Sequence, residues 1–323
     1  MFELVFLGTS ASAPSIHRGL PSLAVLAGEH RYLVDCGEGT QRQILRSGIG
    51  FKRLNRILLT HAHLDHILGL GGLISTFANF ESVDFIEIYG GKPALDRVDT
   101  LLFSVVLREE RNPMPISLVD IHRASRVLDA RTHEVYAFPV QHRGPGCFGF
   151  EFREHAHRPF LAERAAELGV PTGPERGMLV RGESVVLADG RAIAPGDVLG
   201  PEVAGAKVVV MADVGRTDTL VEQCRDADAL VIEATFLDEH ADEARAFGHI
   251  TARQAAELAV ASGARSLILW HVSRRYRERD IVAEARSVFP EAIVARDFDH
   301  FTIKRGEGAT RLAPVLAHED ESQ

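Results

Sequence analysis

The sequence predicts an α/β fold in which sheets are covered by helices, and three observations point to it. Short apolar runs alternate with helix-forming stretches through both halves of the 323-residue chain. Several of those runs end on a histidine or a carboxylate, and α/β proteins gather their sites at such strand ends. A stretch broken by proline and glycine, residues 151–200, parts the two halves and reads as an insertion.

Residues 2–7, 23–27 and 31–35 are rich in Leu, Val and Phe and read as strands. Gly8 and the Thr-Ser-Ala-Ser after it permit a loop. Residues 38–46 favour a helix that Gly48 and Gly50 stop. Arg56 to Thr60 is a short strand, and a histidine-rich loop follows it directly. Leu68 to Phe80 can be helical, although Gly69, Gly71 and Gly72 weaken the start. Strands at 85–90, 116–120 and 134–141 alternate with helical stretches such as 93–103. In the second half, Lys207 to Ala212 is a strand leading to Asp213, and Asp218 to Arg225 is helical. Ala229 to Glu233 is a strand that ends on a carboxylate. Thr251 caps a helix that runs to Ser262. Ser266 to Trp270 is a strand leading to His271, and Asp280 to Phe289 is a helix. The charged tail, 318–323, is expected to be disordered.

Composition is that of a globular protein, 46% hydrophobic and 25% charged. A chain of this size buries a core without disulfides, and Cys36, Cys147 and Cys224 are too few and scattered for a disulfide framework. No apolar run is long enough to span a membrane. The start, Met1-Phe-Glu-Leu, has no basic leader. A cytoplasmic protein is expected. The net charge of −9 opposes bulk attraction to a polyanion, so any RNA substrate would need local basic patches.

The strongest signal is His61-Ala-His63-Leu-Asp65-His66, four ligand-type side chains within six residues at a strand end. Zinc accepts imidazole nitrogen and carboxylate oxygen. In an extended segment, residues two apart point the same way, so His61 and His63 can share one ion. Asp65 and His66, at the turn into the next helix, can face a neighbouring ion. His142, Asp213 and His271 each follow an apolar strand and complete a set for two ions.

The loop, together with the later His, Asp and His, resembles the metallo-β-lactamase superfamily. Longer stretches resemble ribonuclease Z. They are Leu7-Gly-Thr-Ser10 with Pro14 and Arg18, Val34-Asp-Cys-Gly-Glu-Gly-Thr-Gln-Arg42, Leu59 to Gly69, Gln141-His-Arg143 with Gly149, Glu233-Ala-Thr-Phe236, Gly248-His-Ile-Thr251 and His271-Val-Ser-Arg-Arg-Tyr276. The resemblance covers nearly the whole chain. It implies an αββα sandwich of two mixed β-sheets flanked by helices, with metals at one edge. It implies one metallo-β-lactamase-fold domain from 1–150 and 201–317, and a flexible arm at 151–200 that grips the tRNA body across a homodimer. It implies two zinc ions per subunit, for which manganese or iron could substitute. His61, His63 and His142 would bind the first, Asp65, His66 and His271 the second, and Asp213 would bridge them. Asp35 would orient the histidine loop.

The implied reaction is hydrolytic removal of 3′ trailers from precursor tRNA, leaving a tRNA 3′ hydroxyl and a trailer 5′ phosphate. Asp65 would orient or deprotonate the attacking water, and His249, held by Glu233, would donate a proton to the departing ribose 3′ oxygen. The sequence departs from the family at Ala212-Asp213-Val214, where Gly-Asp-Thr is usual, and at Ile250, where serine is usual. It departs also at Trp270, where a small polar residue is common, and at Met178, where lysine is frequent. The insertion carries six arginines against eight acids, and Arg274, Arg275, Arg277 and Arg279 offer another basic patch. Two other functions fit the same residues: a phosphodiesterase acting on a small or non-tRNA ester, and a non-catalytic RNA-binding protein that keeps the fold.

Overall fold

In the computed structural model, which describes residues 1–80, 83–107 and 114–313, alternation along the strands decides the layering. In chain order the first strands are β1 (Phe2–Gly8), β2 (Ser22–Ala27), β3 (His30–Val34), β4 (Arg56–Leu58), β5 (Ile86–Gly90), β6 (Ile116–Asp120), β7 (Ser125–Asp129), β8 (His133–Pro139) and β9 (Phe148–Glu154). Then come β10 (Val185–Val186), β11 (Ala192–Ile193), β12 (Lys207–Val210), β13 (Ala229–Glu233), β14 (Leu267–Trp270), β15 (Ile293–Val294), β16 (His300–Lys304) and β17 (Gly308–Leu312).

The first large sheet is ordered β17-β16-β1-β2-β3-β4-β5-β6, parallel from β3 to β6 and antiparallel elsewhere. The second is ordered β15-β14-β13-β12-β9-β8-β7 and is parallel from β12 to β15. Leu4 and Phe6 of β1 enter a core shared with Phe150 and Phe152 of β9 and Val208 and Val210 of β12, so this cluster lies between the sheets. Val5 and Leu7 point the other way, into a cluster with Leu70, Ile74 and Phe77 of the helix Gly69–Phe80. Val209 and Met211 likewise face Ala255, Ala259 and Ile281 of the helices Ala252–Ser262 and Glu278–Arg286. Three apolar layers therefore separate four layers of structure, the αββα sandwich. Period-two strands buried on both faces require this arrangement.

The chain forms two compact units, one of residues 1–153 with the chain from Ala206 onward, the other Glu154–Gly205. The second has its own small core of Ala165, Val170, Leu179, Val185, Ile193 and Val198, against which Met178 packs. It carries the short helices Ala162–Glu167 and Pro174–Val180 and the β10–β11 hairpin. These limits correct the expected 151–200. Phe150 and Phe152 are buried between the sheets, and pairing with β12 continues to Arg153, so residues 151–153 stay in β9. At the far end, Val203 and His157 exchange two backbone hydrogen bonds (2.8 and 3.0 Å), which holds 201–205 in the second unit.

Some helices differ from expectation. Residues 93–103 split into the helix Lys92–Asp99 and a π-helical turn, Thr100–Val106. The helix expected over 218–225 is only Val221–Cys224, because Thr217 closes a turn onto Leu220 (3.0 Å), as hydroxyl and carboxylate residues favour. Cys36, Cys147 and Cys224 are free and buried. The tail from 318 lies outside the described residues. Among those described, no helix is long and apolar enough to cross a membrane.

Candidate metal centre

The strand ends converge on one edge of the sandwich. Asp35 follows β3 directly, the His61–His66 loop follows β4, and His142 follows β8. Asp213 lies just past β12, Glu233 is the last residue of β13, and His271 follows β14. The Asp-Cys-Gly stretch clamps the histidine loop. Cys36 N donates to the His66 carbonyl (2.8 Å), and Gly69 N donates to the Cys36 carbonyl (2.9 Å). A Cβ at Gly69 would overlap the Gly37 carbonyl, so only glycine permits this approach.

The hydrogen bonds fix which nitrogen of each histidine faces inward. Buried Asp35, at φ 58°, accepts from Thr60 N (2.8 Å), Thr60 Oγ1 (2.8 Å) and His66 Nδ1 (2.7 Å). Aspartate is one of the few residues that takes this left-handed conformation readily. The single Thr60 hydroxyl proton goes to Asp35, so at His61 (3.0 Å) it is the ring Nδ1–H that donates. The same logic holds at His271. Thr235 Oγ1 donates to the His271 carbonyl (3.0 Å) and so accepts from its Nδ1 (2.9 Å). His142 Nδ1 donates to the Gly248 carbonyl (2.6 Å). Each ring therefore turns a bare Nε2 lone pair toward the same space.

Nothing in the protein satisfies those lone pairs. Among the described residues, six buried side-chain atoms have no hydrogen-bond partner, and four of them are His61 Nε2, His66 Nε2, His271 Nε2 and Asp213 Oδ1. Asp213 is central. Its Oδ2 lies 3.5 Å from His61 Nε2 and 3.4 Å from His142 Nε2. Its Oδ1 lies 3.5 Å from His66 Nε2 and 3.1 Å from His271 Nε2. His63 Nδ1 is 3.9 Å from Asp213 Oδ2. Asp65 Oδ2 is 3.6 Å from His66 Nε2 and 3.8 Å from His271 Nε2. Imidazole and carboxylate donors crowded together without protons to share suit a cation between them.

The donors fall into two overlapping groups, His61–His63–His142–Asp213 and Asp65–His66–His271, with donor atoms within 4.8 Å of one another in each. A third group adds His249 to Asp213 and His271. His249 differs from the others because its Nδ1 is engaged by Glu233 (3.1 and 3.0 Å). Burial works against a charge on His249, but the Glu233 carboxylate outweighs it and raises the pKa to about 9. Glu233 also accepts from Val214 N (2.5 Å). Burial works against the charge on Asp65 and Asp213 too, yet the neighbouring histidines hold both below the usual carboxylate range. Asp65 Oδ2 also accepts from Ser12 N (3.0 Å).

A cavity of about 380 Å³ opens over the donors, lined by Ser12, His63, Asp65, Asp213 and His249, with Arg143, Arg274, Phe236 and Phe247 at its walls. Of the four arginines from 274 to 279, only Arg274 lines it. Arg275 is bound to Glu243 (2.7 Å). The departures at 214 and 270 point away from this space. Val214 and Ile250 pack in the outer core, and Trp270 is fully buried, its Nε1 donating to the Met211 carbonyl (2.8 Å). Reading the sequence overlooks Thr60, Thr235, Gly248 and Ser12 as partners of the donors. Only Thr60, next to His61, and Thr235, in Glu-Ala-Thr-Phe, leave a signal.

The description "Metallo-beta-lactamase superfamily" matches residues 18–79, and "Beta-lactamase superfamily domain" matches residues 179–272. A curated relative named ribonuclease Z, from Bradyrhizobium diazoefficiens, is 50% identical over 303 residues, 94% of this chain and 100% of its own length. The chain belongs to the ribonuclease Z family. Another ribonuclease Z, from the archaeon Archaeoglobus fulgidus, is 37% identical over 92% of this chain and 96% of its own. The human short-form tRNase Z structure superposes with a TM-score of 0.65 at 26% identity, covering 93% of this chain and 99% of that one. Membership in ribonuclease Z, with this donor cluster, makes the chain an enzyme with a metal-binding site.

Proposed function

We propose that the protein is a metal-dependent endoribonuclease that removes 3′ trailers from precursor tRNA, with two zinc ions per subunit. The observation that carries this reading is the convergence, in a ribonuclease Z chain, of bare Nε2 atoms and the Asp213 carboxylate beside a Glu233–His249 pair. Zinc would supply Lewis-acid charge to the scissile phosphate and acidify water at neutral pH. His61, His63 and His142 would hold one ion and Asp65, His66 and His271 the other, with Asp213 between. Asp65, fixed by Ser12 N, would orient the attacking water and accept its proton. Glu233 holds the His249 ring so that its other nitrogen can give a proton to the departing ribose 3′ oxygen. The tRNA would leave with a 3′ hydroxyl and the trailer with a 5′ phosphate. The unit Glu154–Gly205 is read as the arm that grips the tRNA body, and the working form as a cytoplasmic homodimer. Both rest on family resemblance.

End mapping of a cleaved precursor tRNA is the decisive experiment, run beside bis(p-nitrophenyl) phosphate. Cleavage at the trailer junction, lost on chelation and restored by zinc, is expected, with two metal equivalents by elemental analysis. Turnover of the small ester with an intact precursor would establish a different phosphodiesterase. Full activity after chelation would remove the metal from the reaction.

A further inference from the structure

The space beside the donors does not end at His142. A second cavity, of about 460 Å³, lies against that histidine and is walled by Arg143, Arg216, Arg245 and Gly248, with no carboxylate among its lining residues. Arg143 lines both this cavity and the one over the donors. Arg216 and Arg245 each lean on one carboxylate, Asp218 and Asp242, while Arg143 has no ion-pair partner among the described residues. Gly248 holds the arrangement close. At φ 73°, a Cβ there would lie 2.9 Å from Arg143 Cγ and 3.2 Å from His142 Nδ1. The Arg143 stem therefore rests on the turn that carries His249. In a chain of net charge −9, three guanidinium groups beside the donor cluster form a concentrated local exception.

We infer that this arginine cavity is a second phosphate subsite, holding the backbone phosphate immediately 5′ to the scissile one, with Arg143 spanning the two. The inference rests on the ribonuclease reading above. If His249 protonates the departing 3′ oxygen, the ribose bearing that oxygen lies at His249. The next phosphate toward the 5′ end is one nucleotide further on, and the wall shared with Gly248 places the arginines there. Guanidinium groups suit this role, since they meet phosphate through paired charge-assisted hydrogen bonds. The enzyme's hold on RNA would then be local to this cavity.

The test pairs a protein change with a substrate change. The exposed double variant Arg216→Gln/Arg245→Gln, and separately Arg143→Gln, would be assayed on precursor tRNA carrying either a normal linkage or an uncharged methylphosphonate at that one position. For the normal precursor, KM is expected to rise about tenfold in each variant, the loss falling on KM more than on kcat. The salt dependence of log kcat/KM should become shallower by about 0.7 for the phosphate released. The wild-type enzyme should lose about tenfold on the methylphosphonate, whereas the variants should lose almost nothing further, because the interaction is already gone. Equal losses in wild type and variants would show that the arginines do not hold that phosphate and would overturn the subsite. A wild-type enzyme inert on the normal precursor would overturn the functional reading, and the subsite with it.

Discussion

At the scale of single residues, proton bookkeeping in the hydrogen bonds decides what the site can do. Asp35 takes three donors while holding a left-handed backbone. Asparagine tolerates that backbone but must point an N–H at one of those donors. Asp35→Asn should therefore melt close to wild type when metal-free, yet bind zinc about 10- to 100-fold more weakly in chelator competition. Unchanged affinity would mean that the orientation of His66 does not matter. His249 poses the complementary case. Its Nδ1 is taken by Glu233 rather than left bare, so His249→Ala should keep the metal by elemental analysis while precursor turnover falls about 10²- to 10⁴-fold. On bis(p-nitrophenyl) phosphate the loss should be smaller, since nitrophenolate leaves without a proton. Equal losses on both substrates would remove His249 as the proton donor.

Whole elements show why some of the site was legible and some was not. The histidine loop and the strands ending at Asp213, Glu233 and His271 announce themselves, because unbroken apolar runs meet ligand-type side chains. Strand β9 does not. Its Phe-Gly-Phe-Glu-Phe-Arg-Glu mixes charges into a buried alternation, and only the pairing with β12 shows that Glu151 and Arg153 sit on the helix-facing side while Phe150 and Phe152 fill the core. Short strands such as Ile293–Val294 carry too little pattern to register. The partners of the donors were hidden for another reason, since a threonine hydroxyl or a glycine carbonyl has no sequence signature of its role. The clamp between residues 35–37 and the loop at 61–69 belongs to this scale. Gly69→Ala would drive a methyl into the Gly37 carbonyl and push the two segments apart. Melting should drop by several degrees, for a cost of about 1–3 kcal/mol, and metal content should fall with it. A variant with full metal content and wild-type melting would show that the clamp is dispensable.

Across the whole molecule, the two sheets are joined at a polar point within their shared core as well as by packing. Tyr32 of β3 and His133 of β8, both buried, meet through Tyr32 Oη and His133 Nε2 at 2.6 Å. Burial raises the Tyr32 pKa to about 12. Between pH 10 and 12 the unfolded chain would release a proton that the folded chain retains, so stability is full below pH 10 and falls as pH rises through that window, by up to about 3 kcal/mol. Tyr32→Phe should flatten that decline in alkaline melting curves, and an unaltered slope would assign the loss elsewhere. The insertion can be treated in the same way. The chain leaves the sandwich at the end of β9 and returns at β12, where Arg153 and Lys207 are already paired, and a Cβ on Gly205 would fall on the Glu154 backbone. Those ends are close enough for a hairpin turn of about two to five residues to replace everything between them. Excising the unit should therefore leave one cooperative melting transition and full zinc uptake. If that unit grips the tRNA body, KM for precursor tRNA should rise at least about tenfold, with a shallower salt dependence, as expected when contacts to phosphates are removed. An excised protein that binds precursor as tightly as the whole chain would leave the grip to the sandwich, and the arginine cavity beside His142 would be the first place to look for it.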